Sequence, residues 1–210
     1  MTSALPPAAR GAALTLDYCG GSGGSGSDRS ILETLRKHGL PATLFLNARW
    51  IDANPGLARE LAADPLFELA NHGTRHLPLS VAGQHAYGIP GTAGVPDVYD
   101  EIMVNAEKLE ELTGIRPRFF RSGTAHLDEV AGSICLDLGM IPAGFTINGD
   151  AGATYPADVV VQEVVRARAG DIIIAHGNQP GSGTGAGLAE ALPRLQDNGV
   201  QLLTLSQATS

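Results

Sequence analysis

The chain has 210 residues, a formal net charge of -8, and 14 Lys and Arg against 22 Asp and Glu. That length suits one full domain and is short for two. The acidic balance and the lack of any Lys/Arg cluster argue against a nucleic-acid partner, and no apolar run is long enough to span a bilayer. Met1 to Arg10 lack an apolar core, so no secretory signal is expected. The compartment is extracellular or cell envelope if a signal was trimmed, and cytoplasmic otherwise. Cys19 and Cys135 are too few for a disulfide framework and read as free, partly buried thiols.

In chain order, Ala12 to Asp17 reads as an apolar strand ending in an acid. Residues 20–27 are all Gly and Ser and read as a mobile loop unless a ligand orders them. Asp28 is placed to cap a helix whose apolar positions Ile31, Leu32 and Leu35 lead to Gly39. A second strand spans Pro41 to Leu46. A helix begins at Asn54-Pro55-Gly56, with Leu57, Leu61 and Ala62 on one face. Phe67 to Ala70 is a third strand. Residues 81–95 are irregular, and Asp97 to Leu112 is a strongly amphipathic helix. Then follow a strand at 118–121, a helix at 127–138, a strand at 141–147, a helix at 157–167, a very apolar strand at 171–176, a helix at 187–197 and a strand at 200–205. This alternation, repeated about seven times with short connections, predicts parallel strands covered by helices. A full eight-unit barrel needs roughly 250 residues, so the expected fold is α/β: a distorted, incomplete (β/α) barrel of about seven parallel strands. The expected organisation is one domain over 1–210.

Polar residues recur at the carboxyl ends of these strands. Asp17 ends the first, His72 and His76 follow the third, Arg121 ends the fourth, Asp150 follows the fifth and His176 ends the sixth. In a parallel barrel those ends converge on one mouth. Two neutral imidazoles four residues apart suit a divalent ion. The whole set suits metal-assisted hydrolysis. A carboxylate removes a proton from water, a histidine across the site protonates the leaving group, and an arginine keeps the carboxylate ionised.

The order Thr15-Leu16-Asp17, His72-Gly-Thr-Arg-His76, Phe120-Arg121-Ser-Gly-Thr124 and Ile174-Ala175-His176 resembles the polysaccharide deacetylase family, the carbohydrate esterases with a NodB-homology domain. The resemblance runs from about Ala12 to Leu205. It implies a barrel of about seven strands and removal of N- or O-acetyl groups from chitin-like polymers, peptidoglycan or xylan. It implies a divalent metal, with zinc as the leading candidate and cobalt or nickel as alternatives, and an acetylated carbohydrate or related small molecule as partner. Carried onto this chain, Asp17 is the base, His176 the acid, Arg121 the group that orients the base, and His72 and His76 the metal ligands. The backbone of Thr124 falls where an oxyanion donor is expected. Asp150, Asn178 and Gln179 are expected to contact the oxyanion or substrate.

The chain departs from the family pattern at Tyr18, which stands where the family has a second acid that serves as third metal ligand. Three consequences follow as alternatives: an ion held by two histidines and water; Asp17 acting as metal ligand, with Asp150 as base; or a carbohydrate-binding protein without turnover. Cys19, close to the base, is a further conceivable ligand. Arg121-Ser-Gly-Thr124 lacks the family's proline and aromatic. Asn148-Gly-Asp150 matches the fourth motif faintly and lacks its tryptophan. These losses suggest a substrate other than a simple chitin chain, including amide hydrolysis on a small non-polymeric molecule.

Overall fold

The structure is a computed structural model that describes residues 2–209; Met1 and Ser210, the ends of the expected 1–210 domain, lie outside them. Strand β1 (Gly11–Tyr18) is buried along its whole length. A strand covered on both faces reads as a nearly unbroken apolar run, and β1 lies between β2 (Ala42–Leu46) and β7 (Ile172–His176), parallel to both. Asp17 is in register with Phe45 on one side and His176 on the other.

Beyond β2 come β3 (Phe67–Asn71), β4 (Phe119–Phe120) and β5 (Ile141–Pro142); beyond β7 comes β6 (Ile147–Asn148). Strand β8 (Gln201–Leu203) pairs with the first residues of β1. Every ladder between these strands is parallel. The edge strands β5 and β6 are separated in sequence by residues 143–146 alone, so the sheet curls until its two edges nearly meet. This is the incomplete barrel expected. The single strand expected at 141–147 is instead two short strands on opposite edges. Between them, Ala143 donates to Phe120 O and Thr146 to Ile172 O, both at 2.8–2.9 Å. The backbone thus leaves one ladder and joins the other, which an apolar run cannot reveal.

Parallel strands need crossovers, supplied by α1 (Arg29–His38), α2 (Ala48–Ala53), α3 (Pro55–Ala62), α4 (Val95–Thr113), α5 (Glu129–Asp137), α6 (Ala157–Val164) and α7 (Gly183–Asp197), with α8 (Leu205–Ala208) after β8. Asp28 caps α1 and Gly39 closes it in the left-handed region, as its sequence predicts. Helix α2 was not anticipated. It is six residues long and starts at Asn47, whose side chain accepts from Arg49 N. Helix α7 begins one turn before its expected start. Its opening Gly183-Thr-Gly-Ala-Gly187 has poor helix propensity. A Cβ at Gly187, however, would run into Val160 of α6, so close packing of two helices demands what propensity disfavours. No helix among the described residues is long and apolar enough to cross a membrane.

Strand alternation sorts β1 into two faces. Ala12, Leu14, Leu16 and Tyr18 pack outward in the main core beneath the helices, while Ala13 packs with Phe45, Ala70 and Phe119 inside the barrel. Asp17 shares the inner face and Tyr18 does not. The Tyr18 ring lies 4.6 Å from the Trp50 ring, in space left by the missing side chain of Gly177, and its buried hydroxyl has no hydrogen-bond partner among the described residues. An unsatisfied buried hydroxyl costs about 1–3 kcal/mol. Tyr18→Phe is therefore expected to raise the urea unfolding midpoint with an unchanged slope, and a lower midpoint would show that the hydroxyl is satisfied in solution.

Candidate active site

The carboxyl ends of the strands surround a cavity of about 430 Å³ lined by Asp17, Cys19, His76, Tyr87, Thr124 and His176, among others. Its floor is organised by Arg121, which is 1% exposed. Its Nη1 donates to Asp17 Oδ1 at 2.7 Å and to Thr15 Oγ1 at 2.8 Å. Its Nη2 donates to Gly144 O at 2.9 Å and its Nε to Ala143 O at 3.3 Å, which fills the break between β5 and β6. The guanidinium also lies 4.2 Å over the Phe45 ring. Burial works to raise the Asp17 carboxyl, but Arg121, with His72 and His176, outweighs it and holds the group below the usual carboxylate range.

His72 is buried, and its Nδ1 donates to the carbonyl of Arg121 at 2.8 Å. A carbonyl only accepts, so that proton resides on Nδ1 and the lone pair on Nε2 faces the site. There it stands 3.6 Å from Asp17 Oδ2 and 3.7 Å from Cys19 Sγ. The rings of His72 and His76 meet edge to face at 4.7 Å. Burial lowers the pKa of His72, and burial with the neighbouring His72 lowers His76 to about 3, so both imidazoles are neutral. One ligand atom from each of Cys19, His72 and His76 lies within 4.8 Å of the other two. Burial first, then Asp17, pushes the Cys19 thiol well above its ordinary value.

The histidine pair sits on a loop, and His76 adopts φ 63°, a region costly for a non-glycine residue. Buried polar side chains hold that loop. Asn47 donates to the carbonyls of His72 and Gly73, Asn71 accepts from Gly73 N, and Glu101 accepts from the backbone N–H groups of Arg75 and Leu77. None of these was singled out in the sequence. The available signal was an acid and an asparagine, Glu101 and Asn105, on the apolar face of α4, where polar groups persist only when satisfied.

Across the cavity, His176 Nδ1 donates to Asp150 Oδ1 at 2.8 Å. Asp150 also accepts from His176 N and Thr184 Oγ1. Asp150 is completely buried behind His176 and does not line the cavity, so its expected contact with substrate is replaced by one with the histidine. Burial works to lower His176, but the hydrogen bond and charge of Asp150 raise it above the ordinary value. Thr124 lines the cavity with φ 63° in a short 3-10 turn, Gly123–Ala125. Asn178 and Gln179, expected to face substrate, donate instead to Gly24 O and Gly23 O, both at 2.9 Å. With Trp50 and Asn54, they hold the carbonyls of the Gly/Ser loop. Tyr87, not anticipated, is 82% exposed at the cavity rim and meets His126 edge-on at 5.3 Å. His126 in turn donates to Thr124 O at 2.7 Å.

The curled sheet thus gathers a buried acid–arginine pair, two neutral histidines and a histidine–aspartate pair at one mouth. The sequence profile of the polysaccharide deacetylase family matches residues 5–143, and the chain belongs to that family. It is 24% identical over 181 residues to a peptidoglycan-N-acetylglucosamine deacetylase of Bacillus cereus, covering 84% of this chain and 79% of that one. It is 25% identical over 179 residues to YlxY of Bacillus subtilis, and there it spans about half the length of its relative, 51% against 84% of its own. Among the solved structures that share the fold at a TM-score of 0.81 are two of particular note. One is BA3943, a CE4 family pseudoenzyme from Bacillus anthracis, at 22% identity over 98% of this chain and 67% of that one. The other is the Bc1960 peptidoglycan N-acetylglucosamine deacetylase, at 21% identity over 99% and 91%.

The Asp150–His176 pair has a pH signature. His176 is raised in the folded state, so its contribution is complete below the unfolded histidine value of about 6.5 and is lost as pH rises through the higher folded value. Asp150 is lowered by the same contact, so its contribution is lost only as pH falls through that lowered value. Asp150→Asn removes the partner. The His176 ring titration, followed by NMR, is expected to move to lower pH, and an unmoved midpoint would assign the shift to another group.

Proposed function

We propose that this protein is a metal-dependent hydrolase that removes N-acetyl or O-acetyl groups from a polysaccharide, oligosaccharide or related glycan. The observation that carries the reading is the hydrogen bonding of two groups at one cavity mouth: Asp17 accepts from Arg121, which lowers its pKa, and His176 donates to Asp150, which raises its own. Such a pair is the signature of an assigned base and acid. His72 and His76 fit a divalent ion such as zinc, since both are neutral and His72 directs Nε2 into the site because Nδ1 is engaged. When bound, the ion supplies Lewis acidity.

The rest follows from the chain's own groups. Arg121 occupies Asp17 Oδ1, which leaves Oδ2 to accept the proton of the attacking water. Asp150 occupies His176 Nδ1, which leaves Nε2 to protonate the leaving amine or alcohol. The backbone N–H of Thr124 donates to the developing oxyanion. Tyr87 offers its exposed ring to a sugar at the rim. The Bacillus cereus relative acts on an N-acetylglucosamine unit of peptidoglycan, and an N-acetylated amino sugar is the substrate class we carry to this chain. A glycan-binding protein without turnover is the second reading, favoured by Tyr18, which occupies the place of a second acid and faces away from the cavity.

The test combines elemental mass spectrometry with acetate release from an N-acetylglucosamine oligomer. About one zinc-like ion per chain is expected, lost in His72→Ala and His76→Ala. Asp17→Asn and His176→Ala are expected to lower turnover by about 10²–10⁴-fold, with metal retained in His176→Ala. Metal without turnover on any acetylated glycan would select the second reading. The pH profile should be bell-shaped. Activity appears as Asp17 ionises, below the usual carboxylate value of about 3.9, and falls as His176 loses its proton, above about 6.5. A flat profile between about pH 5 and 9 overturns the acid assignment, since an unperturbed histidine titrates within that range.

A further inference from the structure

We infer that Cys19 is the third protein ligand of the metal site, so that this chain presents a Cys-His-His donor set where its family pattern has an acid. The inference rests on the metal-dependent reading above and adds the identity of the third donor. Its first support is strand alternation. Residues 17 and 19 fall on the same face of the chain and residue 18 on the other. Asp17 faces the cavity, Tyr18 is locked outward against Trp50 with its ring over Gly177, and Cys19 follows Asp17 into the cavity lining. Tyr18 therefore does not replace the missing ligand, and the neighbour on the correct face carries a sulfur donor.

Distance is the second support. Bonds of about 2.3 Å to sulfur and 2.0–2.1 Å to nitrogen at tetrahedral angles set ligand separations of about 3.3–3.6 Å. Cys19 Sγ stands 3.7 Å from His72 Nε2, and the three donor atoms lie within 4.8 Å of one another. Both partners are preset. His72 has committed Nδ1 to Arg121 O, and the backbone after Cys19 is pinned by Gly20 N donating to Gly24 O at 3.0 Å. Gly20 has φ 70° and packs against the backbone of Trp50, where a side chain would collide. Cys135, the other cysteine, sits on the buried face of α5, packed with Met140 and residues of α4, and it does not compete as a disulfide partner. A thiolate with two imidazoles favours zinc and other thiophilic ions over magnesium or manganese, which prefer oxygen donors.

The test uses the full chain titrated with cobalt(II) chloride. Cobalt reports its own coordination through visible d–d bands and reports a bound thiolate through a near-ultraviolet sulfur-to-metal band. The wild type is expected to bind one cobalt with both signals. Cys135→Ser should keep both. Cys19→Ser should lose the sulfur band and bind cobalt at least tenfold more weakly, and Cys19→Asp should recover binding without the sulfur band. His72→Ala should lose both signals. One cobalt per wild-type chain with d–d bands but no sulfur band overturns the role of Cys19 and leaves the two-histidine site standing. No cobalt bound by the wild type overturns both readings. Because the sulfur band is read in the wild type, misfolding of a variant cannot mask the result.

Discussion

The guanidinium of Arg121 lies at the gap where the barrel fails to close, and the site around it is built on its hydrogen bonds. Its three nitrogens satisfy the carbonyls of Ala143 and Gly144, which the interrupted strand leaves without ladder partners, and also reach Thr15 and Asp17 on the central strand. Its backbone carbonyl sets the tautomer of His72. Removing one partner from a buried ion pair costs about 3–5 kcal/mol, because the other charge is left uncompensated. Here the same removal would also leave the carbonyls of Ala143 and Gly144 without their donors. Closure of the sheet and polarity of the site are therefore a single arrangement.

Neighbouring groups of the site use burial in opposite ways. For one pair, burial dominates: His72 and His76 are driven neutral, which is the form that binds metal. For the other, burial is overruled by a partner. Arg121 lowers the pKa of Asp17 and Asp150 raises that of His176. The shared barrel mouth provides the low-dielectric setting in which each partner's charge counts strongly. The buried amides of Asn47, Asn71 and Asn105, with Glu101, then fix the loop that carries the histidines, including the strained backbone of His76.

Much of the fold was legible in the chain because period and composition suffice for parallel α/β units. The strands near 12–17, 41–46, 67–70 and 171–176, the long helix near 97–112 and the cap at Asp28 all appear close to their expected places. The misses share a cause. Helix α2, the early start of α7 and the split of 141–147 are set by packing and by which neighbour a backbone pairs with, and local propensity carries neither. The Gly/Ser loop is ordered because distant amides, Asn178 and Gln179, reach its carbonyls. Composition describes a segment's freedom when alone, not the partners that remove it.

For the site, the sequence alone determined which chemical groups gather. Strand-end polar residues converge in any parallel barrel, so the gathering of Asp17, His72, His76, Arg121 and His176 at one mouth was legible from order and spacing. Tertiary structure decided how each is used. It turned Asp150 toward His176, turned Tyr18 out of the cavity and brought Cys19 beside His72. The reason is directional. A sequence records which side chains lie near a strand end, but hydrogen-bond acceptors, lone pairs and the face a residue presents are set by the backbone register of neighbouring strands.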